Sequence, residues 1–391
     1  MVFVPDKPVR VSEGDATLRS VRPALKAGLR PVWRDRETVQ IGVDPRRAIA
    51  LTGMGGAAVV IGLLDGSRDR GQVIASAREQ GVPAPVTEQI LTLLAAGGVL
   101  DDFPAAALAA LTQEQRRRLR AELATAALAR GCSDAGAAVL ARRDAARVQI
   151  YGPGRLAATL ADILTTSGVG HVTTCDDVHL PGPATPGPTM ADARHPTQGE
   201  AARTAAPSDS AASGTTDSAG SAVAGTAGSR MSGTAGAGAG GGWRRRGRPV
   251  LPDLAVLVGY QQPELAGWLM RAGVAHLAAS AEEAIGIVGP MVRPGRTSCL
   301  RCLHLTRSDL DPAWPLILAQ LVGQPAGLPA CDAALAAAVA AQAAVQALAY
   351  LDRDPAHAPA ENGTLELELP GWQWRRRTWP PHPACPCTRP R

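Results

Sequence analysis

Two close pairs of cysteines are the residues best suited to chemistry. Cys299-Leu300-Arg301-Cys302 is a Cys-x-x-Cys knuckle, and Cys385-Pro386-Cys387 stands near the far end of the sequence. Thiolates are soft ligands, and two such pairs brought together give the tetrahedral four-sulfur set of a closed, structural zinc site. Zinc held by Cys299, Cys302, Cys385 and Cys387 would tie the C-terminal tail back to the core. Two alternatives stay open: His304 or His382 replacing one thiolate, and a pairing that is chance. A redox role for Cys-x-x-Cys needs a thioredoxin-like strand–helix context, which the flanking residues do not offer. Cys132, Cys175 and Cys331 read as ordinary buried thiols. Cys331 precedes a helix in a Pro/Gly-rich loop, so it is also the candidate for a thioester-forming nucleophile.

A second candidate site lies upstream. Arg147 to Tyr151 reads as a short strand, and Gly152-Pro153-Gly154-Arg155-Leu156-Ala157 follows at once. The glycines allow a tight turn and let the backbone approach a phosphate at a helix N-terminus. Leu156, Leu160, Ile163 and Leu164 recur at helical spacing up to Gly168. Val172 to Cys175 is then a strand closed by Asp176-Asp177. An acidic residue about 20 positions past the glycines is where a ribose hydroxyl is held. Gly152, Gly154, Asp176 and Asp177 are thus the candidate cofactor-binding residues. The competing reading is a Rossmann-like fold that has lost its nucleotide.

The elements that must position these groups fall into three parts. In residues 1–105, Val39, Ile41 and Val43 alternate as a half-buried strand, with Val32-Trp33 before it and Ala48 to Leu51 after it. Helical spacing follows in three runs, Val59 to Leu64, Val73 to Ala77 and Val86 to Leu94, each stopped by glycine. Three strands and three short helices predict a small winged-helix-like α+β domain. Residues 106–145 read as a helical connector, with a surface helix over Thr112 to Arg130. Its Arg116 to Arg118 run is more simply a solvated face than a nucleic-acid patch. Residues 146–391 predict a Rossmann-like α/β domain with a parallel-rich sheet. An insertion over 181–249, mostly Gly, Ala, Ser, Thr and Pro, buries too little apolar surface to offset its ordering entropy, so disorder is expected there. Strand signals resume at Leu254 to Val258. Near the end, Leu365 to Leu369 alternates with Glu366 and Glu368. Pro370-Gly371 suits a type II turn in a two-residue hairpin that faces Leu367 to Trp374 and Glu366 to Arg375. The Trp372, Trp374 and Arg375 to Arg377 cluster could stack bases; hairpin packing beside the zinc explains it more simply.

Composition narrows the function classes. The 391 residues are 46% hydrophobic and 19% charged, which describes a globular chain of two or three domains. Lysine occurs only as Lys7 and Lys26, so arginine supplies nearly all of the 40 basic residues. The net charge of +5 is spread along the chain, whereas a nucleic-acid binder concentrates it on one face. Seven unevenly spaced cysteines do not make a secreted disulfide framework. No basic-then-apolar segment opens the chain, and the Ala-rich stretch Leu335 to Leu351 carries Gln342 and Gln346. The expectation is a cytoplasmic protein with no membrane span.

Several of these segments carry a family resemblance. Val148 to Asp177, Pro252 to Val258, the stretch Gly289-Pro290-Met291-Val292-Arg293-Pro294-Gly295 leading into Cys299-x-x-Cys302, and the terminal cysteine pair resemble the ThiF/MoeB/HesA superfamily. They are most similar to the branch related to the cyclodehydratase partner proteins of thiazole/oxazole-modified peptides. The resemblance implies a leader-peptide-binding winged-helix domain ahead of an activating-enzyme-like domain, structural zinc, and a homodimer. Active members adenylate a C-terminal carboxylate with ATP and Mg²⁺. They place a lysine on the phosphates, an arginine after the acidic strand end and a second aspartate after a later strand. Here no lysine follows Lys26, no arginine precedes Arg194 in that stretch, and Gly259-Tyr260 stands after the later strand. The departures favour a scaffold that presents a precursor peptide to a partner modifying enzyme. The peptide would add to the edge strand at Ile49 and Leu51, with Ile90 and Leu94 walling the groove. The alternative is an active adenylyltransferase acting on a ubiquitin-like or sulfur-carrier protein.

Overall fold

In the computed structural model of the chain, residues 22–102, 111–176, 244–245, 248–260, 263–323, 330–354 and 359–388 are described. The chain divides into two units, Met1–Val178 with Leu251–Arg391, and His179–Val250. Most of the insertion expected over 181–249, and with it the expected disorder, lies outside the described residues. The described part of the second unit is a short antiparallel ladder of β8 (Arg244–Arg245) and β9 (Arg248–Pro249).

The N-terminal part of the larger unit is built from short elements. β2 (Pro31–Trp33), β3 (Val39–Ile41) and β4 (Ile49–Leu51) form an antiparallel sheet in that order, as their alternation predicts. The first expected helix shrinks to a 3-10 turn over Gly55–Ala58 and one helical turn, α1 (Val59–Gly62). α2 (Arg70–Glu79) starts on an Asp69–Gln72 capping box, and α3 (Ala84–Ala96) ends at Gly97. Val39, Ile41, Leu51, Val60, Val73, Ile90 and Leu94 are all buried in one core. A further pair was not expected: β1 (Pro23–Leu25) runs antiparallel to β5 (Leu100–Asp102). Lys26, directly after β1, is buried, pairs with Asp101 at 2.5 Å and donates to the carbonyl of Cys132.

The connector differs from one long helix. It bends at Leu119 into α4 (Gln113–Arg118) and α5 (Arg120–Arg130), and α6 (Ala137–Ala145) follows. Arg143 and Arg130 reach the buried Asp352 at 2.7 and 2.6 Å, and Arg130 also reaches Asp354 at 2.8 Å. These ion pairs fasten the connector to the end of a later helix.

The remaining elements form a seven-stranded sheet in the order β14-β13-β12-β11-β10-β6-β7. Its strands are β6 (Arg147–Tyr151), β7 (His171–Cys175), β10 (Leu254–Val258), β11 (Ala275–Glu282), β12 (Ile285–Val292), β13 (Gly363–Glu368) and β14 (Gln373–Thr378). The sheet is parallel from β7 to β11 and antiparallel from β11 to β14, so the expected parallel-rich sheet holds for one half only. The reason is the connections. β11 turns into β12 through Glu283 and Ala284, both at positive φ, which leaves no room for the crossover that parallel strands need. The β13–β14 hairpin has the predicted pairs Leu367↔Trp374 and Glu366↔Arg375, and its ladder ends at Glu368↔Gln373. The turn is therefore not the expected two-residue type II turn: residues 369–372 close through Trp372 N–H to Glu368 O, with Trp372 at positive φ.

Strand side chains alternate between two layers. On one face Ile150, Val256, Leu277 and Val288 meet α7 (Arg155–Thr166) and α11 (Ala333–Leu351) in a core whose residues include Leu160, Leu164, Leu335 and Val339. On the other lie α8 (Pro263–Ala272), α9 (Leu300–Leu310) and α10 (Trp314–Gly323). By length and composition α11 could cross a membrane, yet more than half of its apolar window is buried in the protein, as for a core helix.

Candidate metal centre

The structure brings the two cysteine pairs together. Cys299 is the N-cap of α9 and Cys302 lies in its first turn, while Cys385 precedes a 3-10 turn over Pro386–Thr388. The sulfurs of Cys299 and Cys385 are 3.6 Å apart, those of Cys302 and Cys387 3.3 Å, and those of Cys299 and Cys302 3.8 Å. All four lie within 4.8 Å of one another. A tetrahedron with Zn–S bonds of about 2.3 Å has edges of about 3.8 Å, so the set matches a four-sulfur metal site. It does not match a disulfide, whose sulfurs sit about 2.05 Å apart. Cys299, Cys302 and Cys385 are buried and Cys387 is partly so.

Electrostatics at the cluster call for a cation. Burial, helped by the neighbouring sulfurs, pushes the Cys299 thiol up to about 12. Burial and the hydrogen bond with Cys302 push Cys387 up as well. Cys302 goes the other way. Burial opposes its ionisation, but hydrogen bonds from the backbone at His382 and Cys299 and from the adjacent thiols outweigh it. The N-terminus of α9 adds its dipole to the same thiolate. A divalent ion would supply the charge that the rest of the cluster needs in order to ionise. The histidines weighed as substitutes are engaged elsewhere. His382 Nε2 meets Asp309 at 2.7 Å, and His304 Nδ1 accepts from Trp314 Nε1 at 3.2 Å.

Residues that sequence reasoning missed hold the tail in place. Asn362 accepts from Ser298 N–H through its side chain and from Trp379 N–H through its carbonyl, both at 2.8 Å. Trp379 is buried, donates from Nε1 to Thr364, and lies under the guanidinium groups of Arg307 and Arg377. The Asn362-Gly363 dipeptide was the available signal: Asn tolerates the positive φ found there.

The glycine turn lies at the C-terminal end of β6, which runs between β7 and β10, and Gly152 N–H donates to Cys175 O. Gly152 and Gly154 both stand at positive φ, and Arg155 opens α7. Asp176 is exposed just past β7, and Asp177 lies outside the described residues. Cys331 is half-buried rather than buried, as are Cys132 and Cys175. Burial, with the nearby carboxylates of Asp332 and Glu282, raises its thiol, and Arg155 opposes them. A Glu282 oxygen lies 3.8 Å from where a side chain on Gly259 would begin. Lys26 is locked in the N-terminal part.

Of the residues nominated for peptide contact, Leu51, Ile90 and Leu94 are core, at 3%, 5% and 0% exposure. Ile49 is part-exposed on the edge strand and touches the C-terminal end of α3 at Gly97.

No family model and no curated protein sequence matches the chain. Solved structures do share its fold. The heterocyclase TruD matches with a TM-score of 0.56 at 15% identity, over 94% of this chain and 42% of that one. A heterocyclase solved with substrate and cofactor matches with 0.54 at 16%, over 94% and 39%. Escherichia coli MccB, solved with AMPCPP and MccA, matches with 0.53 at 12%, over 94% of this chain and 99% of that one. The chain thus spans about two fifths of the heterocyclases and nearly all of MccB.

Proposed function

We propose that this chain is a zinc-stabilised peptide-binding scaffold that presents a precursor peptide to a partner modifying enzyme of the cyclodehydratase type, within the ThiF-like branch that its sequence resembles. The observation that carries the reading is the edge strand β4, with Ile49 half-exposed against α3, in a chain sharing its fold with heterocyclases and with a protein solved with the peptide MccA. A peptide adding to β4 gains backbone hydrogen bonds there and side-chain pockets at Ile49 and Leu93. Leu51, Ile90 and Leu94 support that surface from beneath. Zinc on Cys299, Cys302, Cys385 and Cys387 fixes the tail, a role that suits a reducing compartment such as the cytoplasm. The heterocyclases are more than twice as long, which favours a separate partner supplying the remaining activity.

The test is a titration of the full chain with labelled peptides encoded beside its gene, read by fluorescence anisotropy. Saturable binding weakened about tenfold by Ile49→Asp is expected. Binding to none of these peptides would refute the scaffold.

A second reading, adenylation of a carboxylate, is favoured by Arg155, which opens the helix after the glycine turn, and by Glu282 beside Gly259. They offer the cation and the carboxylate that the sequence motif lacks, and Gly152, Gly154 and Asp176 would seat ATP with Mg²⁺. Arginine does not replace lysine in kind. ATP–pyrophosphate exchange dependent on a peptide or carrier protein decides between the two.

A further inference from the structure

The seven-stranded sheet ends at β14, and no strand among the described residues pairs with its outer side. All six of its residues are exposed, so neither helical layer covers it. The ladder with β13 runs on into Trp379 N–H donating to Asn362 O. Bonded pairs alternate in an antiparallel ladder, so Gln373, Arg375 and Arg377 turn their backbone groups toward β13. Trp374, Arg376 and Thr378 turn theirs outward. Side chains sort by face as well. Trp374 sits opposite Leu367 and Arg376 opposite Leu365, on the α11 side. There Arg376 is tied to the carbonyls of Pro359 and Glu361, and Trp374 is 37% exposed. On the other face Arg375 sits opposite Glu366, with Arg377 two residues on. Arg375 forms no ion pair among the described residues, and Arg377 reaches Glu366 only at 3.8 Å.

We propose that β14 is a docking edge for an acidic, extended segment of a partner protein, which adds to the sheet as an eighth, antiparallel strand. A strand with acidic and apolar residues in alternation gains backbone hydrogen bonds at Trp374, Arg376 and Thr378. Its acids meet Arg375 and Arg377, extending the row that begins at Glu366, and its apolar residues meet Trp374. A second copy of this chain does not fit, because β14 against β14 sets arginine against arginine. Single-stranded nucleic acid fits less well, since it cannot bond to a strand edge and Trp374 and Arg375 point to opposite faces. Arginines on an edge turn away ordinary strands and select an acidic one. β4 belongs to a different sheet, so the proposal does not rest on peptide recognition there.

The test is fluorescence anisotropy of the full-length protein with fluorescein-labelled Thr-Val-Glu-Val-Glu-Val-Thr as its C-terminal amide. Saturable binding is expected, about tenfold tighter than for the peptide with glutamine in place of glutamate. N-methylation of the valines, whose N–H groups face β14 in this register, should abolish binding, and N-methylation of the two glutamates should spare it. Arg375→Gln should weaken binding severalfold, and Ile49→Asp should leave it unchanged. No saturable binding at millimolar peptide overturns the proposal. So does equal tolerance of the two methylation patterns on the unaltered protein, a comparison that needs no variant to fold. Loss of binding in Ile49→Asp would move the peptide to β4, and tighter binding of an eight-residue oligothymidylate would assign the edge to nucleic acid; either result overturns it as well.

Discussion

The two faces of the central sheet are held by different physics. The α7/α11 face is closed by aliphatic packing, with Leu160, Leu164, Leu335 and Val339 at 0% exposure. The α8/α9 face leaves a large cavity, carries the buried His276, whose Nε2 has no hydrogen-bond partner among the described residues, and gathers four cysteine sulfurs within 4.8 Å of one another. A layer packed to interior density needs no staple. On the other face the four cysteines bring α9 and the tail together, and an ion bound there would staple the two.

Metal removal should separate the faces most sharply. Stripping the ion with a chelator under reducing conditions should cost several kcal/mol and release the tail, because metal-binding energy is folding energy at such sites. Limited proteolysis should then cut beyond Thr378 while β6 and α7 stay protected. On the packed face, Leu160→Ala should cost about 2–5 kcal/mol by denaturant unfolding, with the metal content unchanged.

A smaller effect comes from His276, whose burial holds its pKa down at about 4, from an ordinary 6.5. Between those values the unfolded state binds the extra proton. The stability it contributes is therefore complete above about pH 6.5 and is lost as pH falls toward 4. The loss should total about 3 kcal/mol, measured as the difference in pH dependence between the natural protein and His276→Leu. The smallest effect belongs to the glycine turn. Gly154 stands at φ +95° with open space beside it, so Gly154→Ala pays only backbone strain, about 1 kcal/mol in a thermal melt.

How much of this was legible in sequence depends on the range of the signal. β6 falls on its predicted bounds because five residues ahead of a glycine turn carry both pattern and stop. The β13–β14 pairs were readable because Pro370-Gly371 marks the turn. The cysteine quartet was readable because close spacing and ligand chemistry are local, although the meeting of its pairs is not. The β1–β5 pair escaped because three residues cannot show alternation and its partners lie far apart in sequence. The antiparallel half of the sheet escaped because Glu283 and Ala284 take positive φ without glycine. The groove residues Leu51, Ile90 and Leu94 share a helix or strand face with the surface but point into the core, a distinction only tertiary packing makes. His276 gave no signal, since its burial is set by tertiary packing.

The clamp on the outer layer is tested most directly by zinc analysis with X-ray absorption at the zinc edge, on protein purified under reducing conditions. One zinc per chain with four sulfur neighbours at about 2.3 Å is the predicted result. A chain without zinc that cannot be loaded with it, or zinc bound by nitrogen and oxygen in place of these sulfurs, would contradict it.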